Sequence, residues 1–318
     1  MKDAHRFSQI LAGVLVFAGA AAHAQEQYPN KVVRLVTPAT GGNADIVARI
    51  LASGLSASMG QQFIVDNRGS IAPGVVAKAP PDGYTLLVTG SPAWLLPLLS
   101  PGVPWDAKDF APITLATSSP SLLVVHPSLP AKGVKDLIAL AKARPGVLNF
   151  ASGTIGATPH LAGELFKHMA GVDIVRVTYK GTGGAVVAVL TGEVHLMFPG
   201  APAAMPYVNQ GRLRALAVGS TEPSPFAPGV PTVAATGLPN FESVSPFGVM
   251  APRGTPVGIV NRLNKEAVRV LNAEEVKPKL FNMGSEVVAN SPDAFAAKIR
   301  ADMERVYKLV AATGLRAE

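Results

Sequence analysis

Short runs of aliphatic and β-branched residues alternate along this chain with longer segments whose apolar residues recur at helical spacing. Residues 31–37 form the first run and predict a strand, and residues 44–55 show the helical spacing and predict a helix. Strands that alternate with helices are typical of an α/β fold with mainly parallel sheets. The further predicted strands cover residues 62–66, 85–89, 122–126, 148–152, 173–179, 194–198, 214–218 and 245–250, and the further predicted helices cover 134–143, 158–170, 184–190, 256–271 and 292–313.

Three of the predicted strands run into short loops that are rich in glycine, serine and threonine, and a helix begins directly after each loop. The loops cover residues 37–45, 152–158 and 179–184. Free backbone N–H groups at a helix start favour anions, and glycine lets a ligand approach the backbone. In open α/β sheets, ligands bind at the carboxyl ends of the strands. One such loop is equally explained by ordinary turn chemistry, but the three together predict a site for a small carboxylate or phosphate.

The first residues carry the pattern of a secretory signal peptide. Lys2 and Arg6 precede an uncharged stretch, 10–22, which ends in the Ala-His-Ala sequence of residues 22–24. The apolar run is too short to span a bilayer, and a buried helix is the alternative interpretation. We therefore expect cleavage near Ala24, export and a periplasmic location for the mature protein.

The composition narrows the possible functions. The 318 residues are enough for two domains, and an apolar fraction of 48% excludes wholesale disorder. A chain without cysteine can have no disulfide, thiolate metal site, iron–sulfur cluster, cysteine nucleophile or lipid-anchored N-terminal cysteine. The net charge of +7 comes without any run of five basic residues, so scattered surface charge is favoured over a nucleic-acid site.

Catalytic motifs are missing from the sequence, which has neither a G-x-S-x-G elbow nor a P-loop. Residues 181–183 match a dinucleotide-binding loop only in part, because Val186 stands where the third glycine belongs. His160, Glu164 and His168 share one helical face and could ligate a metal, although an ordinary helix surface explains the spacing as well. We expect no cofactor and no enzymatic activity.

Several short motifs, in a fixed order along the chain, resemble one protein family. They are the pair Tyr28-Pro29, the stretch 36–49 with its Gly41-Gly42 pair, and the runs 66–68, 77–78, 81–86, 108–113, 160–166, 179–181, 211–218, 230–233 and 247–256. From about residue 28 onward, the chain resembles the substrate-binding receptors of tripartite tricarboxylate transporters, the Bug family of periplasmic proteins. The resemblance implies a two-lobed periplasmic-binding-protein fold of type II, the Venus-flytrap fold, in which each lobe is a mainly parallel sheet flanked by helices.

The resemblance also implies how lobes, ligand and partners are arranged. Residues 25–125 and 245–318 would form the first lobe, residues 126–244 would form the second, and the cleft between them would hold a small carboxylate. The partners would be membrane permease subunits or a sensor protein, and the receptor would be a monomer that binds no nucleic acid. The predicted ligand-binding residues are Thr37, Thr40, Gly41, Gly42, Asp45, Ser91, Ser152, Gly153, Thr154, Thr158, Tyr179, Gly181 and Thr182. The alternatives are a ligand-sensing receptor that acts on a signalling protein and, less favoured, an exported hydrolase or metalloenzyme.

Three departures from the family pattern fall near this cleft. Thr37 and Pro38 stand where the family commonly has a proline and an aromatic residue, and Thr40 replaces the proline before the glycine pair. The loop 69–74 is shorter than its usual glycine-rich counterpart, and Pro199 replaces a common aspartate. These differences predict an unusual ligand or a lower affinity.

Overall fold

The computed structural model describes residues 28–38, 40–41 and 43–315, and the predicted signal peptide at 1–24 lies outside them. The strands are β1 Val33–Thr37, β2 Phe63–Asn67, β3 Thr85–Gly90, β4 Phe110–Pro120, β5 Leu122–Val125, β6 Asn149–Ser152, β7 Val175–Thr178, β8 Leu196–Met197, β9 Arg214–Val218, β10 Val244–Pro252 and β11 Glu286–Val287. The helices are α1 Asn43–Met59, α2 Ala72–Ala77, α3 Pro92–Leu99, α4 Val134–Ala143, α5 Thr158–Ala170, α6 Gly181–Leu190, α7 Ala201–Asn209, α8 Val233–Thr236, α9 Val257–Leu271, α10 Lys277–Asn282 and α11 Pro292–Thr313. Within the described residues, none of these helices is long and apolar enough to cross a membrane.

The strands form two sheets. The first has six strands in the order β11-β4-β10-β3-β1-β2, and the second has five in the order β7-β6-β8-β5-β9. Strand β1 pairs in parallel with β2 and β3, whereas β10 runs antiparallel to both β3 and β4. In the second sheet, β6 pairs in parallel with β7 and β8, and β5 runs antiparallel to β8 and β9. The two-lobed α/β fold is confirmed, but both sheets are mixed, so the expectation of mainly parallel sheets is wrong.

The pairing of β5 bears on where the chain passes from one sheet to the other. Strand β5 was expected to end the first lobe, yet it pairs only with strands of the second sheet among the described residues. By sheet membership, the chain therefore leaves the first sheet at Pro120, the end of β4, and not after residue 125. It returns at Val244, where β10 begins, one residue before the predicted boundary.

The two chain segments that connect the lobes lie side by side at one place, which we call the crossover. It is formed by Ser121, Gly219 and Ser243. The backbone N–H of Ser121 donates to the carbonyl of Ser243 over 3.1 Å, and the N–H of Gly219 donates to the carbonyl of Ser121 over 2.7 Å. The N–H of Ser243 donates back to the carbonyl of Gly219, also over 2.7 Å. A Cβ at Gly219 would lie 2.3 Å from Oγ of Ser121, so only glycine lets the two passages approach this closely.

Each sheet buries side chains on both of its faces, as strands β1 and β5 show. In β1, Leu35 packs with Leu51 of α1, while the next residue, Val36, packs on the opposite face with Trp94 of α3. Strand β5 behaves in the same way in the second sheet. The carboxyl ends of β1 and β6, and the starts of the long helices α1 and α5, are held in place by these cores.

Candidate ligand-binding cleft

The loop between β1 and α1 is organised by one buried carboxylate. Asp45 is 2% exposed, and its Oδ2 accepts hydrogen bonds from the backbone N–H of Gly41 and from Nε of Arg49, both over 2.9 Å. Its Oδ1 accepts from Nδ2 of Asn67, also over 2.9 Å. Burial disfavours the charged form, but these three hydrogen bonds outweigh it and lower the pKa of Asp45. Both oxygens are engaged within the chain, so Asp45 shapes the loop.

Thr37 stands at the carboxyl end of β1, directly before this loop. Its side chain is fully buried, and its Oγ1 has no hydrogen-bond partner among the described residues. Thr40 and Gly41 are exposed, and Gly42 lies outside the described residues. A buried hydroxyl without a partner is costly, so Thr37 is a strong candidate for contact with a ligand or a bound water.

The loop between β6 and α5 repeats this arrangement in the second lobe. Ser152 ends β6, is 1% exposed, and its Oγ likewise has no partner among the described residues. The next residue, Gly153, is buried, whereas Thr154 is exposed. A Cβ at Gly153 would lie 2.9 Å from the carbonyl carbon of Gly181, so the loops after β6 and β7 touch.

The loop between β7 and α6 completes the second-lobe side. The backbone N–H of Tyr179 donates to the carbonyl of Ser152 over 2.8 Å, and its hydroxyl donates to Oε1 of Glu193 over 2.9 Å. Burial and the neighbouring Glu193 carboxylate raise the pKa of Tyr179. Gly181 is half-buried, and Thr182 is exposed at the start of α6. The structure thus brings Ser152, Gly153, Tyr179 and Gly181 together.

Two predicted ligand residues make contacts between the lobes. Oγ of Ser91, just before α3, donates to the carbonyl of Gly156 over 3.0 Å. Oγ1 of Thr158, at the start of α5, donates to the carbonyl of Val244 over 3.3 Å. Ser91 and Thr158 line a cavity at this junction together with Arg305 of α11. Their hydroxyls fasten the second-lobe loop to the first lobe.

Neutral donors dominate the loops that the two lobes present. Helices α1 and α5 are 17 and 13 residues long, so the starts of both carry the partial positive charge of a helix dipole. Among the described residues, no group of three or more histidine or acidic side chains could hold a metal ion. Backbone N–H groups, hydroxyls and helix dipoles can hold an anion without an arginine.

Comparison with known proteins places this arrangement in a family. Residues 47–315 match the family described as tripartite tricarboxylate transporter family receptor. The chain belongs to this family. The receptor is 36% identical to protein BugT of Bordetella pertussis strain Tohama I, over 97% of this chain and 98% of BugT.

Two solved structures align closely with the receptor. A protein of R. palustris, solved with adipate, has a TM-score of 0.84 and 37% sequence identity, and the match covers 91% of this chain and 99% of that one. MatC of Rhodopseudomonas palustris, solved with bound malate, has a TM-score of 0.81 and 29% identity, covering 89% of this chain and all (100%) of that one. The fold of the receptor is that of the periplasmic binding proteins.

Two residues of the receptor that shape its loops were not among the predicted site residues. Asn67 holds Asp45, and β2 places it directly beside Thr37 in the parallel register with β1. His160, considered only as a metal ligand, is fully buried and accepts a hydrogen bond from the N–H of Gly156. Parallel pairing of the strands before and after a helical crossover could have suggested Asn67. No local signal marks the contact of His160.

Proposed function

We propose that this receptor binds a short-chain dicarboxylate between its lobes and delivers it to the permease subunits of a tripartite transporter in the membrane. The observation that carries the proposal is the pair of buried, unpartnered hydroxyls of Thr37 and Ser152. One lies in each lobe, each ends a strand, and each precedes the start of a long helix. A carboxylate group held by each lobe would satisfy both hydroxyls when the lobes close.

The comparisons support the chemical class of the ligand. Adipate and malate, which accompany the two similar structures, are both dicarboxylates. In this receptor, each end of such a ligand would meet a loop of neutral donors at a helix start, where negative charge is stabilised. The exported location fits the same proposal, since the N-terminal pattern of a signal peptide precedes a chain of periplasmic-binding-protein fold.

Calorimetric titration tests the ligand class and the site together. The purified receptor is titrated with adipate, malate, citrate and acetate, and we expect the two dicarboxylates to bind best. Thr37→Val and Ser152→Ala remove each hydroxyl at nearly constant shape, and we expect each to weaken dicarboxylate binding about tenfold or more, as for a hydrogen bond to a charged group.

Thr117→Val is the matched control. Thr117 lies in β4 and also has a buried, unpartnered hydroxyl, but it is not part of the three loops. We expect this variant to bind like the unaltered receptor. Failure of every organic acid to bind would refute the ligand class, and unchanged affinity in both Thr37→Val and Ser152→Ala would refute the site.

A further inference from the structure

One glycine of the second-lobe loop is held from both lobes. The N–H of Gly156 donates to Nδ1 of His160 over 3.2 Å, and its carbonyl accepts from Oγ of Ser91 over 3.0 Å. His160 lies in the first turn of α5, in the same lobe, whereas Ser91 belongs to the first lobe. The two contacts together fix both polar groups of one residue within the loop 152–158.

The position of Gly156 admits no other residue without strain. Its φ is +77°, and a Cβ would lie 3.3 Å from the backbone nitrogen of Leu96 in α3. The neighbouring side chains of Ile155 and Leu161 pack into the first-lobe core beside Trp94. The path of the loop that starts at Ser152 is therefore determined where it meets the first lobe.

His160 can accept this hydrogen bond because it is uncharged. Burial, followed by the nearby positive charges of Arg176 and Lys167, lowers its pKa to about 3. A neutral imidazole has one accepting nitrogen, and the guanidinium of Arg176 also faces the ring at Nε2. The tautomer therefore decides which donor is accepted: the N–H of Gly156 when the ring proton is on Nε2, and the guanidinium of Arg176 when it is on Nδ1.

We propose that His160 is a positioning residue, whose Nδ1 holds Gly156 so that the loop 152–158 presents Ser152 and Gly153 to the ligand. The carbonyl of Gly156, held in a fixed place, in turn accepts the hydrogen bond from Ser91 of the first lobe. The inference rests on the proposed function for the ligand itself, but whether Nδ1 of His160 accepts from Gly156 does not depend on a bound ligand. His160 acts through the loop and does not contact the bound molecule.

Three variants separate the two ring nitrogens. The amide oxygen of His160→Asn lies near the place of Nδ1, that of His160→Gln lies near the place of Nε2, and His160→Leu fills the space with no acceptor. The probe is adipate, measured by calorimetry, with thermal unfolding recorded for each protein. We expect His160→Leu and His160→Gln to bind adipate about three- to tenfold more weakly, and His160→Asn to restore affinity to within about threefold.

Hydrogen exchange in the ligand-free receptor supplies a second readout. We expect the amide of Gly156 to exchange at least about tenfold faster in His160→Leu than in His160→Asn. Equal exchange and equal affinity in all three variants would overturn the proposal, as would rescue by Gln and not by Asn. If the unaltered receptor binds no dicarboxylate, the proposed function fails, while the exchange rates still decide whether His160 holds Gly156. Should His160→Leu fail to fold, the comparison of Asn with Gln decides alone.

Discussion

Asp45 shows how one side chain can prepare a binding loop that it does not itself offer to a ligand. Its carboxylate draws together a loop amide, a helical arginine and the end of a neighbouring strand. The hydrogen bond from Gly41 to Asp45 fixes the position of the exposed loop residues Thr40 and Gly41. We therefore expect the shape of this loop to depend on Asp45, whose two carboxylate oxygens accept three hydrogen bonds within the chain.

Substitution of Asp45 by Asn tests this role. Asn is uncharged and has one accepting oxygen where Asp45 uses two, so the charge-assisted hydrogen bond from Arg49 is weakened and one of the three hydrogen bonds must break or reverse its direction. We expect a loss of about 1–3 kcal/mol in the free energy of unfolding, measured in urea, together with weaker dicarboxylate binding. Glu304→Gln is the control, because it breaks a pair with Lys308 at the surface and should change neither quantity. Equal behaviour of the two variants would contradict the role of Asp45.

His160 also makes the stability of the receptor depend on pH. Its pKa is about 3 in the folded state and about 6.5 in the unfolded chain, so below pH 6.5 the unfolded chain binds the extra proton. Stability is therefore complete above pH 6.5 and falls as the pH drops toward 3, by up to about 1.4 kcal/mol per pH unit from this group. We expect His160→Asn to flatten the dependence between pH 6 and 4 in urea unfolding. A slope that stays the same in His160→Asn would count against the assignment.

At the scale of elements, α5 owes its place to a glycine that faces the sheet. A Cβ at Gly163 would lie 2.2 Å from the ring of Phe150 in β6, so the helix lies directly on that ring. Phe150 is 1% exposed and cannot move away freely. The close packing of α5 on β6 fixes the start of α5 relative to Ser152.

Gly163→Ala should therefore be costly in spite of the better helix propensity of alanine. We expect about 1–3 kcal/mol lower stability from overpacking, measured by urea unfolding. Gly258→Ala in α9 is the control, because among the described residues no atom outside the adjoining helix backbone lies within 4 Å of its added Cβ. That change should be neutral or stabilising by up to about 1 kcal/mol. A stabilising Gly163→Ala would show that the helix has room to move.

Local sequence patterns did not predict strand β4 or helix α3, for two different reasons. Strand β4 contains two prolines and ends in Thr-Ser-Ser-Pro, which locally favours a loop, yet β10 and β11 pair with it on both sides. Strand propensity depends on such partners, which the local pattern does not contain. Helix α3 was missed because its residues are apolar on nearly every side, so no amphipathic spacing marks it.

The three candidate loops likewise combine features that are local in the sequence with contacts that are not. Their positions follow from a strand, a glycine-rich turn and a helix start, all of which are local in sequence. The contacts that hold them are not local, since Asp45 meets Asn67 across 22 positions and Ser91 meets Gly156 across 65. The three loops therefore stay a predicted site, and for Ser91 and Asp45, which were predicted to contact the ligand, the structure shows hydrogen bonds within the chain.

At the scale of the whole molecule, an ion pair joins α11 of the first lobe to the chain segment that connects the lobes. Nη1 of Arg305 lies 3.1 Å from Oε2 of Glu242, and its Nη2 lies 2.7 Å from Oδ1 of Asp302. Glu242 directly precedes Ser243 of the crossover. The pair therefore spans the place about which the lobes would move.

A double-mutant cycle with Arg305→Met and Glu242→Gln measures this tie. Both side chains are about two-fifths exposed, so we expect a coupling of only about 0.2–1 kcal/mol in urea unfolding, decreasing with salt. Asp302→Asn should cost more, because Asp302 is 4% exposed and pairs with both Lys298 and Arg305. A coupling well above this range would mean that the pair holds the lobes together.

The position of β10 between β3 and β4 has a consequence for the order in which the receptor folds. All strands of the second sheet are complete by residue 218, whereas β4 has both of its partners, β10 and β11, beyond residue 243. A chain that emerges from its N-terminus can close the second sheet while β3 and β4 still present open edges, which invite pairing with other chains. The first lobe is thus synthesised first but completes its sheet last. We expect a chain that is truncated before β10 to self-associate.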